Sequence, residues 1–273
     1  MSVDWSAGQG WLTAGGTSLE YACFGPAPDR AMTIVMLHEG LGSLGLWRDL
    51  PAQIAQDTGL GVFVWSRAGY GQSDPADLPR PLDYMTREAV DVLPQVLDAA
   101  GIRRAILLGH SDGATIAAIH AGSVEDFRIR GLILMAPHFF TEPMGLAEIA
   151  RARDAFETGD LRARLSRHHR DAEATFHGWN DVWLDPGFAE WNVAETIDYI
   201  RIPVLAIQGR NDPYGTLAQI DEIADRIYAP LDTAILDDCR HAPHLEQPER
   251  TRAAIAEFAA RLQRIEAATV ETA

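Results

Sequence analysis

The 273-residue chain is poor in cysteine, with Cys23 and Cys239 alone. They lie far apart and form no C-x-x-C pair, which excludes a disulfide framework or a dithiol redox motif and leaves two unrelated reduced thiols. The nine histidines have no companion ligands at recognised spacings, so no metal site and no cofactor is implied. No apolar run approaches the ~20 residues that span a bilayer. The start of the chain, around Asp4, has neither a basic segment nor an apolar stretch after it, so no secretory signal is read and a cytoplasmic protein is expected. Positive charge is also scarce: 23 Lys and Arg stand against 39 Asp and Glu, for a formal charge of −16. A surface of that sign repels a phosphate backbone, which excludes nucleic acid as a partner. There is no internal repeat and no low-complexity tract. What remains is a soluble globular protein, 47% apolar and 23% charged, long enough for one large domain or two small ones.

The most informative stretch is Ile106-Leu107-Leu108-Gly109-His110-Ser111-Asp112-Gly113-Ala114. An apolar run stops at a glycine, presents one serine, and restarts after a second glycine into small residues at helical spacing. The pattern predicts a buried strand turning sharply into a helix with Ser111 at the corner. Only glycine fits two positions either side of such a corner, and the new helix aims its free N–H groups at charge developing above it. That is what an acyl-transfer nucleophile needs.

Other strands surround it. Trp11-Leu12 and the alternating Leu19, Tyr21 and Cys23, separated by Gly15-Gly16, predict a hairpin at a sheet edge. Thr33–Leu37, Gly61–Trp65, Arg103–Leu108, Gly131–Met135, Pro203–Gln208 and Thr233–Leu236 predict buried strands. Helices are expected at Leu46–Thr58, at Tyr84–Ala100, bent or divided by Pro94, after Ser111, from Ile220 to Tyr228, and from Pro248 to about Ile265, with a frayed tail beyond. The alternation predicts an α/β fold, a mostly parallel eight-stranded sheet with helices on both faces. Between 139 and 199 the rhythm breaks into helix-like stretches rich in aromatics.

On these motifs the chain resembles the α/β-hydrolase superfamily. Gly-x-Ser-x-Gly at 109–113 is the nucleophile turn, and His38-Glu39-Gly40-Leu41-Gly42 matches the H-G-x-x-G loop that supplies half of an oxyanion hole. Ser66-Arg67-Ala68-Gly69-Tyr70-Gly71-Gln72-Ser73 resembles the D-x-R-G-x-G-x-S loop, with Ser66 at the aspartate position and a structural role. Gly209-Arg210-Asn211-Asp212-Pro213 resembles the turn bearing the acid, and His241-Ala242-Pro243-His244-Leu245-Glu246 the segment bearing the histidine. The resemblance implies a core of 1–138 and 200–273, a helical lid at 139–199, and a triad of Ser111, Asp212 and His241 in the expected chain order. Asp237 and Asp238 are rival acids and His244 a rival base. The oxyanion donors are the N–H groups of Gly40 and Asp112. Haloalkane dehalogenation and epoxide opening are excluded, since relatives doing those use an aspartate nucleophile.

Two departures bear on activity. Glu39 stands where a glycine is usual, turned outward or bonded to Arg67 or a backbone N–H, with His38 fixing the loop. Arg240 replaces a glycine before the histidine and crowds or charges that loop. Asp112 resembles the Ser-Asp-Gly of the biphenyl-hydrolase-like group that includes valacyclovir hydrolase. Its carboxylate either faces the acyl pocket, favouring a cationic amine over an anion, or pairs with a lid arginine. Trp179 and Trp183, one helical turn apart, either line a substrate pocket or pack the lid on the sheet. His168 and His169 are expected on a solvated helix face.

The expected function is a serine hydrolase acting through an acyl-enzyme on a small ester, thioester or lactone, as a monomer or homodimer. A second reading is a C–C bond hydrolase of a vinylogous diketone, favoured by a basic lid pocket built from Arg151, Arg153 or Arg164. A third is a low-turnover ligand-binding protein on the same scaffold, kept open by Glu39 and Arg240.

Overall fold

The computed structural model describes residues 3–271, and the side chains of residues 3–268. Eight strands form one sheet: β1 (Gln9–Ala14), β2 (Thr17–Phe24), β3 (Thr33–Leu37), β4 (Gly61–Trp65), β5 (Ala105–His110), β6 (Ile129–Met135), β7 (Val204–Gly209) and β8 (Leu231–Leu236). Their spatial order is β1-β2-β4-β3-β5-β6-β7-β8. The β1–β2 hairpin is antiparallel at the edge and β2 runs antiparallel to β4, while β4 to β8 are parallel.

The helices are α1 (Leu50–Thr58), α2 (Tyr84–Arg87), α3 (Leu93–Ala99), α4 (Asp112–Ser123), α5 (Pro143–Thr158), α6 (Leu161–Leu165), α7 (Ala172–Trp183), α8 (Ala218–Arg226), α9 (Pro243–Glu246) and α10 (Pro248–Glu271). Side chains alternate across the pleat, so each parallel strand feeds two separate cores. Val35, Phe63, Leu107, Leu132 and Val204 point to the side of α3, α4 and α8. Ile34, Val62, Ile106, Ile133 and Leu205 point to the side of α1 and α10, against Ile54, Ile255 and Phe258. Burial on both faces is why these strands read as unbroken apolar runs.

Two expectations are corrected, and the expected division of the Tyr84–Ala100 stretch is found. Leu46–Thr58 is not one helix: a 3-10 turn over Leu44–Trp47 is followed by a break at Arg48, at φ 52°, before α1. Pro51 has no N–H to give the Trp47 carbonyl and its ring would clash with it, so a continuous helix is interrupted and α1 begins afresh with Pro51 in its first turn. The Tyr84–Ala100 stretch is divided into α2, a single π-helical turn over Glu88–Val92 and α3, the wider turn absorbing Pro94. The last helix runs past Ile265 to Glu271 instead of fraying, and Thr272 and Ala273, the end of the tail expected to fray, lie outside the described residues.

Between β6 and β7 the chain forms a helical insertion of α5, α6, α7 and two 3-10 turns, Pro186–Glu190 and Ala194–Tyr199. His169 does not sit on a solvated face. It is buried, its Nδ1 accepts the Gly71 N–H (2.9 Å) and its Nε2 lies 3.1 Å from the Leu41 carbonyl, clasping the insertion to the loops after β3 and β4. His168, beside it, is half-buried.

Candidate active site

The loops following β3, β5, β6, β7 and β8 lie side by side because those strands are neighbours, so their carboxyl ends converge on one edge of the sheet. Ser111 follows β5 at φ 53° and ψ −121°, a left-handed conformation that costs a non-glycine residue about 1–3 kcal/mol. Its N–H is bonded to the Met135 carbonyl (2.9 Å) and its carbonyl accepts from Ala114 (2.9 Å), which pins the turn. A Cβ at Gly109 would collide with the Gly113 carbonyl, and one at Gly113 with the Leu37 carbonyl. The small residues at 109 and 113 therefore let α4 start directly against β5 and β3.

Asp212 leaves β7 buried and fully bonded. Its Oδ1 accepts the Tyr214 N–H (2.8 Å), and its Oδ2 accepts from Gln208 (3.0 Å) and from Nδ1 of His241 (2.7 Å). Burial works against its charge, but His241 and the Tyr214 N–H outweigh it and hold the carboxyl below its ordinary range. The bond to Nδ1 fixes the tautomer, leaving Nε2 of His241 to act as a base. Ser111 and His241 both line one cavity of about 100 Å³. The rivals lie elsewhere: Asp237 is exposed and paired with Arg210 (2.7 Å), Asp238 is exposed, and His244 is buried against Trp47 and His110.

Gly40 and Asp112 line the same cavity. The Asp112 N–H is left over by the first turn of α4. Gly40 sits where a Cβ would run into the Trp179 indole. Its loop is held by His38, whose Nε2 accepts the Arg67 N–H (3.1 Å) and whose Nδ1–H donates to the Glu39 carbonyl (2.7 Å). Burial, helped by Arg67, keeps the His38 ring neutral.

Glu39 is half-buried, and among the described residues its carboxylate pairs neither with Arg67 nor with a backbone N–H. Its Oε2 lies 3.5 Å from Nδ1 of His110, whose Nε2–H donates to the His241 carbonyl (2.7 Å). Burial opposes charge on both groups, and the pairing overrides it: Glu39 is held far below the usual carboxylate range and His110 is raised. The acidic side chain next to Gly40 thereby faces His110. Arg240 is exposed, its backbone N–H donating to Glu246 (2.9 Å); its side chain does not line the cavity, although its charge is felt at Tyr214, which does.

Asp112 is not paired with a lid arginine. Its buried carboxylate borders the cavity, Oδ2 accepting from the Tyr84 hydroxyl (2.5 Å) and Oδ1 left without a partner among the described residues. Burial raises its pKa, against the pull of Arg67, Tyr84 and Arg80. Trp179 and Trp183 of α7 line the cavity with Ile149 of α5, Leu41 and Tyr214. The Trp183 N–H donates to the Tyr84 hydroxyl (3.0 Å), whereas no protein acceptor meets the Trp179 N–H among the described residues. The cavity receives none of the lid arginines: Arg151 bonds Glu148, Arg153 bonds Asn180 (2.8 Å), and Arg164 reaches Asp160 (3.5 Å).

Sequence reasoning missed His138. It follows β6, its ring lines the cavity 5.7 Å from His241, and burial pushes it down to about 3, with the neighbouring His241 adding to the effect. Tyr84 and Tyr214 were also missed. No periodicity marks them, although the odd residue left by the Ala136-Pro137-His138 turn at the end of an apolar run is a usable signal, Ala136 standing at φ 48°.

Comparison with known proteins agrees with this fold. The Alpha/beta hydrolase family model matches residues 34–254, and the chain belongs to that family. A proline iminopeptidase of Lactobacillus delbrueckii subsp. bulgaricus is 30% identical over 177 residues, 61% of this chain and 59% of that protein. The chain thus matches about three fifths of that relative's length. Among solved structures, proline iminopeptidase of Mycobacterium smegmatis superposes with a TM-score of 0.73 at 20% identity, covering 94% of this chain and 99% of that one. The enol-lactonase of Burkholderia xenovorans LB400 gives 0.70 at 21% identity, covering 92% and 100%. These likenesses establish a hydrolase fold.

Proposed function

We propose that the protein is a serine hydrolase that transfers a small, uncharged acyl group to water through an acyl-enzyme on Ser111. The observation that carries this reading is the strained Ser111 corner sharing one cavity with a His241 whose Nδ1 is fixed at 2.7 Å by Asp212. Ser111 attacks the carbonyl carbon while His241 takes its proton, and the N–H groups of Gly40 and Asp112 receive the oxyanion. His241 then returns the proton to the leaving group. A water deprotonated by His241 attacks the acyl carbon, and Ser111 is released with its proton restored.

The cavity sets the substrate class. At about 100 Å³ it is smaller than a cavity of ~150 Å³ that holds benzene, so it fits a short acyl chain or a small lactone ring. Its walls are Leu41, Ile149, Trp179, Trp183 and Tyr214, and the two carboxylates that line it, Glu39 and Asp112, disfavour an anionic acyl group. Esters, thioesters and lactones of this size fit. The C–C reading loses its support, because Arg151, Arg153 and Arg164 lie outside the cavity while Asp112 borders it. The two features that favoured a slow binding protein are the paired Glu39 and the exposed Arg240, and neither obstructs chemistry.

The test is reaction of the purified protein with a fluorophosphonate, read by intact mass beside Ser111→Ala, with p-nitrophenyl butyrate turnover in parallel. One adduct on the wild type, none on the variant and sustained turnover are expected. An adduct without turnover would favour the binding-protein reading, and no adduct at all would sink the proposal.

A further inference from the structure

We propose that Arg67 is a positioning residue for the oxyanion hole: its guanidinium, bonded to the Glu39 carbonyl, orients and polarises the peptide whose N–H is the Gly40 donor. The inference rests on the acyl-transfer reading and adds to it a charged residue that does not touch substrate.

Arg67 is 2% exposed, and no carboxylate lies within ion-pair distance of it among the described residues. Its Nη2 donates to the Glu39 carbonyl (3.1 Å) and its guanidinium carbon lies 4.9 Å from the centre of the Tyr70 ring. Nε and Nη1 are buried without partners. A buried cation so poorly paired is expensive, and loop anchoring alone does not explain it. His38 already anchors the same carbonyl through Nδ1–H at 2.7 Å, and it is neutral. An uncharged side chain of similar size would fill the space at lower cost.

What the charge adds is electronic. The Glu39 carbonyl and the Gly40 N–H are two ends of one conjugated amide. Two donors on the oxygen, one of them cationic, draw density from the nitrogen and make its N–H a stronger donor, since hydrogen bonds in series reinforce one another. The guanidinium also places an unneutralised positive charge behind the hole. That charge gains most when the oxyanion forms, so it favours the transition state over bound substrate. The charge of Arg67 also opposes the effect of burial on the Asp112 carboxyl, whose Oδ1 has no partner among the described residues. Arg80, whose guanidinium carbon lies 5.0 Å from the centre of the same Tyr70 ring, acts on Asp112 in the same direction, so removing Arg67 does not leave that carboxylate without a cation.

The experiment compares wild type, Arg67→Lys and Arg67→Met as full chains. Three quantities are measured: kcat and KM for p-nitrophenyl butyrate, inhibition by a short alkyl trifluoromethyl ketone, which adds to serine to give a charged hemiketal, and inhibition by the matching secondary alcohol, which forms no oxyanion. Arg67→Met is expected to lower kcat about 10- to 100-fold, less than the roughly 10²–10³-fold lost when an oxyanion donor is deleted outright. KM should shift by less than about threefold, the ketone should weaken in step with kcat, and the alcohol should be unaffected. Arg67→Lys, retaining the charge without the planar fork, should recover part of the loss. Equal weakening of ketone and alcohol, or an unchanged kcat, would overturn the inference. Should Arg67→Met fail to fold, the ratio of ketone to alcohol inhibition in Arg67→Lys decides the matter alone: a ratio equal to wild type overturns it. A wild type that neither labels nor turns over removes the acyl-transfer reading and this inference together.

Discussion

The cavity has two walls built on different principles. The sheet edge supplies Ser111, Asp212, His241 and Gly40 from loops that place them one to five residues beyond a strand end. The helical insertion supplies Trp179, Trp183 and Ile149 from helices held by side-chain packing and by the His169 clasp. The first wall is specified by glycines, tight turns and strand ends, so its geometry follows from local sequence. The second is specified by which helix face meets which, so on the proposed reading the sheet edge carries the chemistry and the insertion the selectivity.

The comparison breaks most sharply at Ser111. Ser111→Ala should lower kcat by at least about 10⁴-fold, as should Asp212→Asn, which fixes the wrong imidazole tautomer, while thermal melting barely changes. Gly113→Ala tests the backbone itself. The added methyl meets the Leu37 carbonyl, so a loss of about 3 kcal/mol is expected in chemical denaturation, at the upper end of overpacking costs.

The pH dependence of Glu39→Gln comes next in size. Glu39, with its pKa depressed, contributes stability above 4.5 that is lost as pH falls through its folded value. His110, with its pKa raised, contributes stability below 6.5 that is lost as pH rises through its folded value. Glu39→Gln should therefore lower Tm most between pH 4.5 and 6.5, and a melting series whose deficit instead grows above that window would contradict the pairing. The smallest effects sharpen the contrast within the lid. Trp183→Phe deletes the bond to Tyr84 and should cost about 1 kcal/mol of stability. Trp179→Phe deletes an N–H with no protein partner, so its stability should stay within about 0.5 kcal/mol of wild type while KM for oxygen-rich esters rises.

The sequence made the sheet edge legible because each part carries a local mark: Gly109 and Gly113 around Ser111, the Gly209–Pro213 turn, the Gly-rich loop after Leu37. What it hid depends on tertiary contact. His110 reads as the variable position of Gly-x-Ser-x-Gly, yet it faces Glu39, 71 positions earlier (110 − 39). His169 reads as half of a charged helix face, although Leu165 four residues before it is buried on the same side. Tyr84 reads as the start of a helix, and only the fold brings its hydroxyl to Asp112 and Trp183.

The strict alternation of β5 between two cores has an evolutionary side. Ala105 and Leu107 belong to one core, Ile106 and Leu108 to the other, and Ser111 stands at a fixed count beyond them. Substituting one apolar residue for another leaves that count intact. Inserting or deleting a single residue would exchange the two cores' side chains and displace the serine by about 3.3 Å along the strand. Drift by substitution is therefore cheap here and drift by insertion is lethal, which fits a superposition of 94% of the chain on a protein only 20% identical to it. A change of length would be tolerated instead where no strand is counting, between β6 and β7.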